Sequence, residues 1–502
     1  MPASKRALLL AAALAGSAPH AISAQASPYL PLDDSSLPLL EHLIARGDIE
    51  DPTPLVRPFR RIDALQALRH ADSLGTASPL IARLLEELDD PPGNAWSLSG
   101  RIGAQGYTHA RRDLLHPAGP DGVRPYAELS GWARFESVVL VTRPLAEPRL
   151  VVDPDWPGRP DLDFTGRIAD AYISAQFKYG SLFYGQMDRN WGPDGIVGIP
   201  LSNYGYERQG IAFEIGLPTL RLSALATDLQ DEVDSLGQTV HRYYFVHRLG
   251  VRPSRRLALG FWEGVLLAGA DRNFETRYRN PLSFSYLANT IGLGDKGNVL
   301  LGLDLRWRAF RRATLEAQLA IDDFQYQNRG DSGRLPDRWA LTVAGSGPLG
   351  RILSWRAFYT QASSLAFRTF NQFENFTDSG VGIGRNFSDM DQLTVAVSLP
   401  LRERWLVSPD LTLLRQGEGA INAPFPATPA EAGQTPQIFI GVVERTYRLG
   451  LSVRGKEGPL DLEANGGFHH IVNWRHEDGQ TMNRFEGRIQ ATLGLGRRGL
   501  LH

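Results

Sequence analysis

The hydrophobic pattern changes period near residue 96. Upstream, apolar positions recur at helical spacing: Leu39, Leu40, Leu43 and Ile44, then Ile62, Leu65 and Leu68, then Leu80, Ile81, Leu84, Leu85 and Leu88. Gly47 stands where the first helix should stop, and Asp89-Asp90-Pro91-Pro92-Gly93 closes the third. The spacing predicts a small unit of short helices within 35–90. Downstream the period is two. Leu301, Leu303, Leu305 and Trp307 alternate with Asp304, Arg306 and Arg308, and Leu315, Ala317, Leu319 and Ile321 alternate with Thr314, Glu316, Gln318 and Asp322. Over 168–179 the odd positions Ala169, Ala171, Ile173, Ala175, Phe177 and Tyr179 are apolar; over 484–495, Phe485, Ile489, Ala491, Leu493 and Leu495 are. Alternation sustained this long is the strand signal.

A soluble sandwich also alternates. Three features favour a membrane barrel. The segments run past the modal strand of about five or six residues and match a bilayer crossing. Their polar face is dense in charge. Their connections alternate short, near Gly180, Pro218, Pro253, Arg311, Pro348, Pro400 and Gly458, with long, around 189–208, 268–298, 362–390 and 416–444. Short periplasmic turns and long outer loops are the outer-membrane pattern. About 17 segments can be counted, whereas a closed single-chain bacterial barrel takes an even number, so roughly 16 or 18 are expected, with the miscount before residue 165. The predicted fold is all-β: a transmembrane antiparallel β-barrel of about 18 strands over 94–502, preceded by a small periplasmic helical region over 27–93.

Composition narrows the chemistry. The chain has 502 residues, and its 53 basic residues are matched by 55 acidic ones, which gives no reason to expect a nucleic-acid partner. No apolar run approaches the ~18 residues of a helical span. Without cysteine there are no disulfides, thiolate metal sites or cysteine nucleophiles. Residues 1–26 read as an export signal: Lys5 and Arg6, an apolar run from Ala7 to Gly16, and small residues for cleavage after Ala24 or Ala26. The expected location is the cell outer membrane, with its lipid as one partner.

Four segments then carry a family resemblance. They are Ser27-Pro-Tyr-Leu-Pro-Leu-Asp-Asp34, Tyr184-Gly-Gln-Met-Asp-Arg-Asn-Trp-Gly-Pro193, Arg279-Asn-Pro-Leu-Ser-Phe284 and Ile321-Asp-Asp-Phe324. In this order, along nearly the whole mature chain, they resemble the capsule-assembly proteins of the Wzi family. The resemblance implies an 18-stranded outer-membrane barrel with a periplasmic helical bundle. It also implies a lectin-like role in holding capsular polysaccharide at the cell surface.

Asp188, Arg189, Asn190 and Trp191 end a strand and open a long loop that also holds Tyr204 and Tyr206. An aromatic face for a sugar ring beside planar polar groups for its hydroxyls is saccharide chemistry. The same residues also suit an interface anchor closed by an Asp–Arg pair. A lumen set of Asp304, Arg306, Arg308, Glu316, Arg484, Glu486 and Arg488 suits a charge network, with attraction of an acidic polymer as the other reading. Glu263 breaks the apolar phase beside Trp262, where a bulge is expected. Asp322-Asp323 and His469-His470 are adjacent pairs that a strand points to opposite faces, which argues against shared catalysis or chelation. HExxH, P-loop and GxSxG patterns do not occur. The expectation is a monomeric, cofactor-free, non-enzymatic barrel that binds and helps anchor or assemble surface polysaccharide. A diffusion porin is the alternative.

Overall fold

The computed structural model describes residues 25–501 other than 76–77, 109–114, 116–121, 154, 163–164, 273–279, 281, 284–296, 311–312, 324–334 and 386. The export-signal reading therefore lies outside the described residues, except for Gln25 and Ala26. Half of the Arg279–Phe284 landmark (279, 281 and 284) and Phe324 lie outside them too. Helices form where the spacing puts them: α1 Leu37–Arg46, α2 Arg61–Ser73 and α3 Pro79–Leu88. Pro38 sits in the first turn of α1, where its missing N–H breaks no helical bond. Gly47 closes that helix in the left-handed region at φ 74°. Leu40, Leu65, Leu68, Ile81 and Leu84 are buried in a core of the helical region, which among the described residues only Leu406 joins from the strands that follow. Each such side chain contributes roughly 1.5–3 kcal/mol of burial.

Eighteen strands build the wall. They are β1 Ala95–Tyr107, β2 Gly122–Phe135, β3 Val138–Ala146, β4 Gly166–Phe177, β5 Gly180–Gln186 and β6 Gln209–Leu217. The wall continues with β7 Leu220–Asp228, β8 Thr239–Ser254, β9 Leu257–Gly269, β10 Asn298–Phe310, β11 Ala313–Asp323 and β12 Arg338–Leu349. It ends with β13 Leu353–Ala362, β14 Met390–Leu401, β15 Trp405–Gln416, β16 Glu444–Glu457, β17 Leu460–Val472 and β18 Thr481–Leu500. Each pairs antiparallel with the next, and β1 closes on β18 from Ala95 opposite Leu500 to Tyr107 opposite Arg488. The even count resolves the parity problem. β2 and β3 are separated only by Glu136-Ser137, a turn without the Pro or Gly that marks most of the others.

The two faces differ as the alternation requires. On β10, Leu303 is 52% exposed on the outer wall and its neighbour Asp304 is 4% exposed inside. Phe177, Tyr179 and Trp307 are exposed near the short-turn end, and Tyr447, Phe468 and Phe485 nearer the long-loop end. Aromatic girdles flanking an apolar band mark a lipid-facing wall. No described helix is long and apolar enough to cross a membrane; the strands cross it.

Two expectations about phase need correction. The alternation over 168–179 is interrupted. Arg143 pairs with Asp170 but Pro144 with Ile168, so Ala169 is an extra residue, fully buried, while Ile168 faces out. Pro144 has no N–H for the ladder, and a bulge accommodates it. Conversely, no bulge occurs at Trp262. Glu263 lies opposite His247 and Leu301 in unbroken register, so its carboxylate is on the outer face. There it is fully buried, 3.3 Å from His247 Nε2.

The chain fills its own barrel from both ends. The N-terminal segment enters from the short-turn end: the Ser27 N–H donates to Gln176 Oε1 at 2.9 Å, and Tyr29 bridges to Arg60. The 187–208 loop enters from the other end. The two meet as a short antiparallel pair, with Arg57 N–H to Asn190 O at 2.8 Å and Asn190 N–H to Arg57 O at 3.0 Å. Beside this pair, Arg57 is ion-paired to Glu41 (2.8 Å), Asp51 (3.2 Å) and Asp194 (2.6 Å). Arg306 on the wall reaches Asp51 (3.2 Å), Asp194 (3.6 Å) and Glu316 (3.1 Å). Burial, reinforced by Glu316, Glu41 and Asp51, pushes the Asp194 carboxyl well above the usual carboxylate range.

Candidate functional site

The 187–208 loop is built to fold inward. Asn190 clamps it: its Nδ2 donates to Ile196 O at 2.7 Å and its Oδ1 accepts from Gly198 N–H at 2.7 Å. A Cβ on Gly192 would lie 2.6 Å from Gly198 Cα, so the Trp-Gly-Pro turn closes only with glycine there. Trp191 N–H donates to Leu201 O at 2.9 Å, and the Trp191 carbonyl accepts from Gln318 at 3.0 Å. Its ring is 4% exposed in a core with Ile199, Leu201, Tyr244, Trp262 and Phe367. Trp191 is therefore not an exposed stacking face for sugar, and this corrects its role in the expected site. Arg189 is buried as well, its guanidinium 4.3 Å above the Phe183 ring.

That core occupies the lumen along β7–β15, where the 363–389 and 417–443 loops also contribute Phe367, Phe376, Ile383 and Ile421. The opposite side of the lumen is polar. A cavity of about 350 Å³ is lined by Asp188, Asn203, Tyr204, Arg149, Arg488 and Gln490, among others. It adjoins a second cavity of about 470 Å³, reaching α1, with Val197, Asn203, Arg454 and Arg488 common to both. Most of the chamber's charges are already committed. Arg167 is 2.7 Å from Glu147, Arg101 is 3.1 Å from Asp461, and Gln105 joins Glu147 (3.0 Å) to Gln490 (2.8 Å). Burial opposes ionisation of Glu147, but Arg167 and Arg149 outweigh it and hold that carboxyl at about 2.

Asp188 differs. Among the described residues it has no hydrogen-bond or ion-pair partner. Burial pushes its carboxyl up to about 7, against the pull of Arg167. It is a group that can donate or accept near neutrality, at the lining of the cavity. Tyr204 lies nearly perpendicular to Phe387, ring centroids 5.5 Å apart, and lines the chamber together with Tyr107 and Tyr126. Tyr206 instead spends its hydroxyl on Asp153. Of the six expected site residues, Asp188 and Tyr204 line this cavity, Asn190 lines the adjoining one, and Arg189 and Trp191 border a separate space of about 40 Å³. Arg149, Asn203 and Gln490 join Asp188 and Tyr204, and the sequence pattern did not single these out. Donors, acceptors and an aromatic edge converging on a wet cleft suit the hydroxyls and ring of a sugar. No group of residues able to hold a metal ion occurs among the described residues.

The lumen charges form separate clusters and not one network. Arg306 pairs with Glu316 in the central cluster. Asp304 is held by Arg248 (2.7 Å), Trp262 Nε1 (2.9 Å) and Gln318 (2.9 Å). Arg308 points to the helical unit and donates to Gly47 O at 3.3 Å. Arg484 pairs with Glu486 and stacks 4.4 Å from Trp474, and Arg488 pairs with Glu463. Asp322 accepts from Phe367 N–H at 2.9 Å, and Asp323 lies 3.2 Å from Arg338. His469 faces inward and His470 outward, 2.7 Å from Asn483.

The closed wall and its lipid-facing band define an outer-membrane β-barrel. Among solved structures, Wzi of Escherichia coli shares this fold. That outer-membrane protein is described as involved in group 1 capsule assembly and as a carbohydrate-binding β-barrel. Its TM-score is 0.63 at 14% identity, with 95% of this chain and 100% of that chain covered. OprD of Pseudomonas aeruginosa gives 0.45 at 10% identity, covering 80% of this chain and 95% of its own. OpdK of the same organism, solved with vanillate, gives 0.45 at 14% identity, covering 80% and 99%. At these identities the likeness concerns the fold alone, and the last two are too weak to carry an argument. No protein-family model and no curated protein matches the sequence.

Proposed function

We propose that this barrel binds a surface polysaccharide at its long-loop end and helps hold or assemble it there, with the long loops outward and the helical unit in the periplasm. The observation that carries the reading is the Asp188 chamber: a carboxyl without a hydrogen-bond or ion-pair partner among the described residues, sharing a cavity with Tyr204, Asn203, Arg149 and Gln490 in a barrel otherwise filled by its own chain. The carbohydrate binding described for Wzi, a distant relative in fold, supports the same reading. Each sugar contact replaces one to water and is modest, so a polymer should be held at several points and affinity should rise with chain length. The protein acts as a binder without chemistry on the sugar. A solute channel is the second reading, favoured by the two adjoining polar cavities and opposed by the Arg57–Asn190 pairing across the lumen.

The test uses the purified barrel in lipid nanodiscs with surface polysaccharide and size-graded fragments of it. Binding should strengthen with fragment length and weaken several-fold in Tyr204→Ala, while heat-modifiable gel migration stays unchanged. Absence of binding to any glycan, together with steady single-channel conductance in planar bilayers, would replace this reading with the channel.

A further inference from the structure

The two ends of the barrel differ in charge, although the chain as a whole is nearly neutral. At the short-turn end Lys178, Arg255, Arg256, Arg351, Arg402 and Arg404 are all exposed, with Glu403 the one acid in the same turns and Glu136 in a neighbouring one. The long loops hold more acidic than basic residues. The short-turn cations are largely free of strong partners. Arg255 is 75% exposed, with Glu50 no nearer than 3.8 Å. Arg404 meets Glu457 at 3.2 Å with both side chains nearly half exposed, a geometry that salt and water screen.

Their position matters as much as their number. Lys178 lies 5.0 Å over the ring of Tyr179. Arg256 precedes Leu257, which pairs with Trp307. Arg404 precedes Trp405, and Arg351 precedes Ile352, 57% exposed on the wall. The cations thus stand just beyond the aromatic girdle, at the depth where lipid headgroups begin. They are spread over four turns, β4–β5, β8–β9, β12–β13 and β14–β15. The helical unit occupies the mouth inside them, touching the ring through His70 near Arg255 and Arg83 at Glu403. A compact partner would need one contiguous patch. A ring outside a blocked mouth fits an annulus of lipid.

We infer that the short-turn rim is a binding belt for anionic glycerophospholipids of the leaflet it faces, guanidiniums holding headgroup phosphates. The inference does not depend on what the other end binds. It is tested with the full chain in phosphatidylcholine bilayers containing brominated phosphatidylglycerol or brominated phosphatidylcholine, reading quenching of tryptophan fluorescence. Phosphatidylglycerol should be preferred by roughly fivefold or more at low salt. The preference should collapse near 1 M salt, where the Debye length is about 3 Å. It should also collapse in a combined Arg255→Gln, Arg256→Gln, Arg402→Gln, Arg404→Gln variant and survive in the matching Arg→Lys variant. Equal quenching by both lipids in the parent overturns the proposal, as does a preference that persists in the folded glutamine variant. If that variant fails to fold, the salt titration of the parent decides. If soluble polyglutamate binds the parent while the lipids quench equally, the partner is a soluble polyanion and the lipid assignment fails.

Discussion

Replacing Arg57 by methionine tests whether the helical unit is latched into the barrel by charge. Arg57 is 3% exposed, and its partners Asp51, Asp194 and Glu41 are 0%, 6% and 11% exposed. Its guanidinium also donates to the carbonyls of Thr53 (2.8 Å) and Val56 (3.0 Å). Methionine fills similar volume but leaves Arg306 as the close counterion of the cluster, with Arg356 only at 3.9 Å from Glu41. Breaking a buried pair by removing one partner costs about 3–5 kcal/mol, because the other charge stays desolvated. The loss should fall on the seating of the N-terminal segment more than on the wall, whose ladder is untouched. Limited proteolysis of 27–60 in vesicles should quicken by orders of magnitude, and urea midpoints followed by tryptophan fluorescence should fall. Adding Asp51→Asn and Asp194→Asn to Arg57→Met should restore much of the loss, since the stranded charges are then gone. A single Arg57→Met variant with unchanged protease half-life and urea midpoint would refute the latch.

The other predictions are briefer. Leu303→Arg places a cation on the lipid face near the middle of β10 and should cost roughly 2–4 kcal/mol of barrel stability; normal folding of Leu303→Arg beside failure of Arg306→Leu would reverse the facing. Asp188→Asn should remove a pH dependence: the folded state raises this carboxyl from 3.8 to about 7, so the folded form binds the extra proton and stability falls as pH rises through that interval. The upper limit of this effect is about 4 kcal/mol; Asp188→Asn should be the more stable protein at pH 8 but not at pH 4, and parallel pH–stability curves for the two proteins would contradict it. Trp191→Ala should lower the urea midpoint by the equivalent of about 3–5 kcal/mol, as a core truncation does, and an unchanged midpoint would return this ring to the surface.

Much of the wall was legible because lipid and lumen demand opposite polarity at every second residue. Where the pattern misled, a specific competitor intervened. At Ala169 the proline on the neighbouring strand forces an extra residue, and a one-residue insertion flips every side chain beyond it. At Glu136-Ser137 nothing in the composition announces a turn. At Glu263 the carboxylate on the outer face remains in phase and is buried with His247, an arrangement that alternation alone does not anticipate. The helices were legible for a different reason: their leucines pack on one another and need no information from the barrel.

The candidate site was half legible. Asp188 and Tyr204 stood out by chemistry, but their chamber is completed by Arg149 from the 147–165 loop and Gln490 from β18, which only the closure of β18 on β1 brings near. Trp191 misled because a tryptophan in a long loop looks like a surface ring. The neighbouring residues held the contrary signal: Ile196, Val197, Ile199 and Leu201 make that loop too apolar to lie in water. Its inward course follows, and with it the division of the lumen. The same loop supplies Asn190 and Asp194 to the latch around Arg57 and Asp188, Asn203 and Tyr204 to the chamber. Clamped at Asn190 and packed at Trp191, it is a rigid link and not a lid, so the chamber's shape is set by the seating of the helical unit and not by the long loops alone.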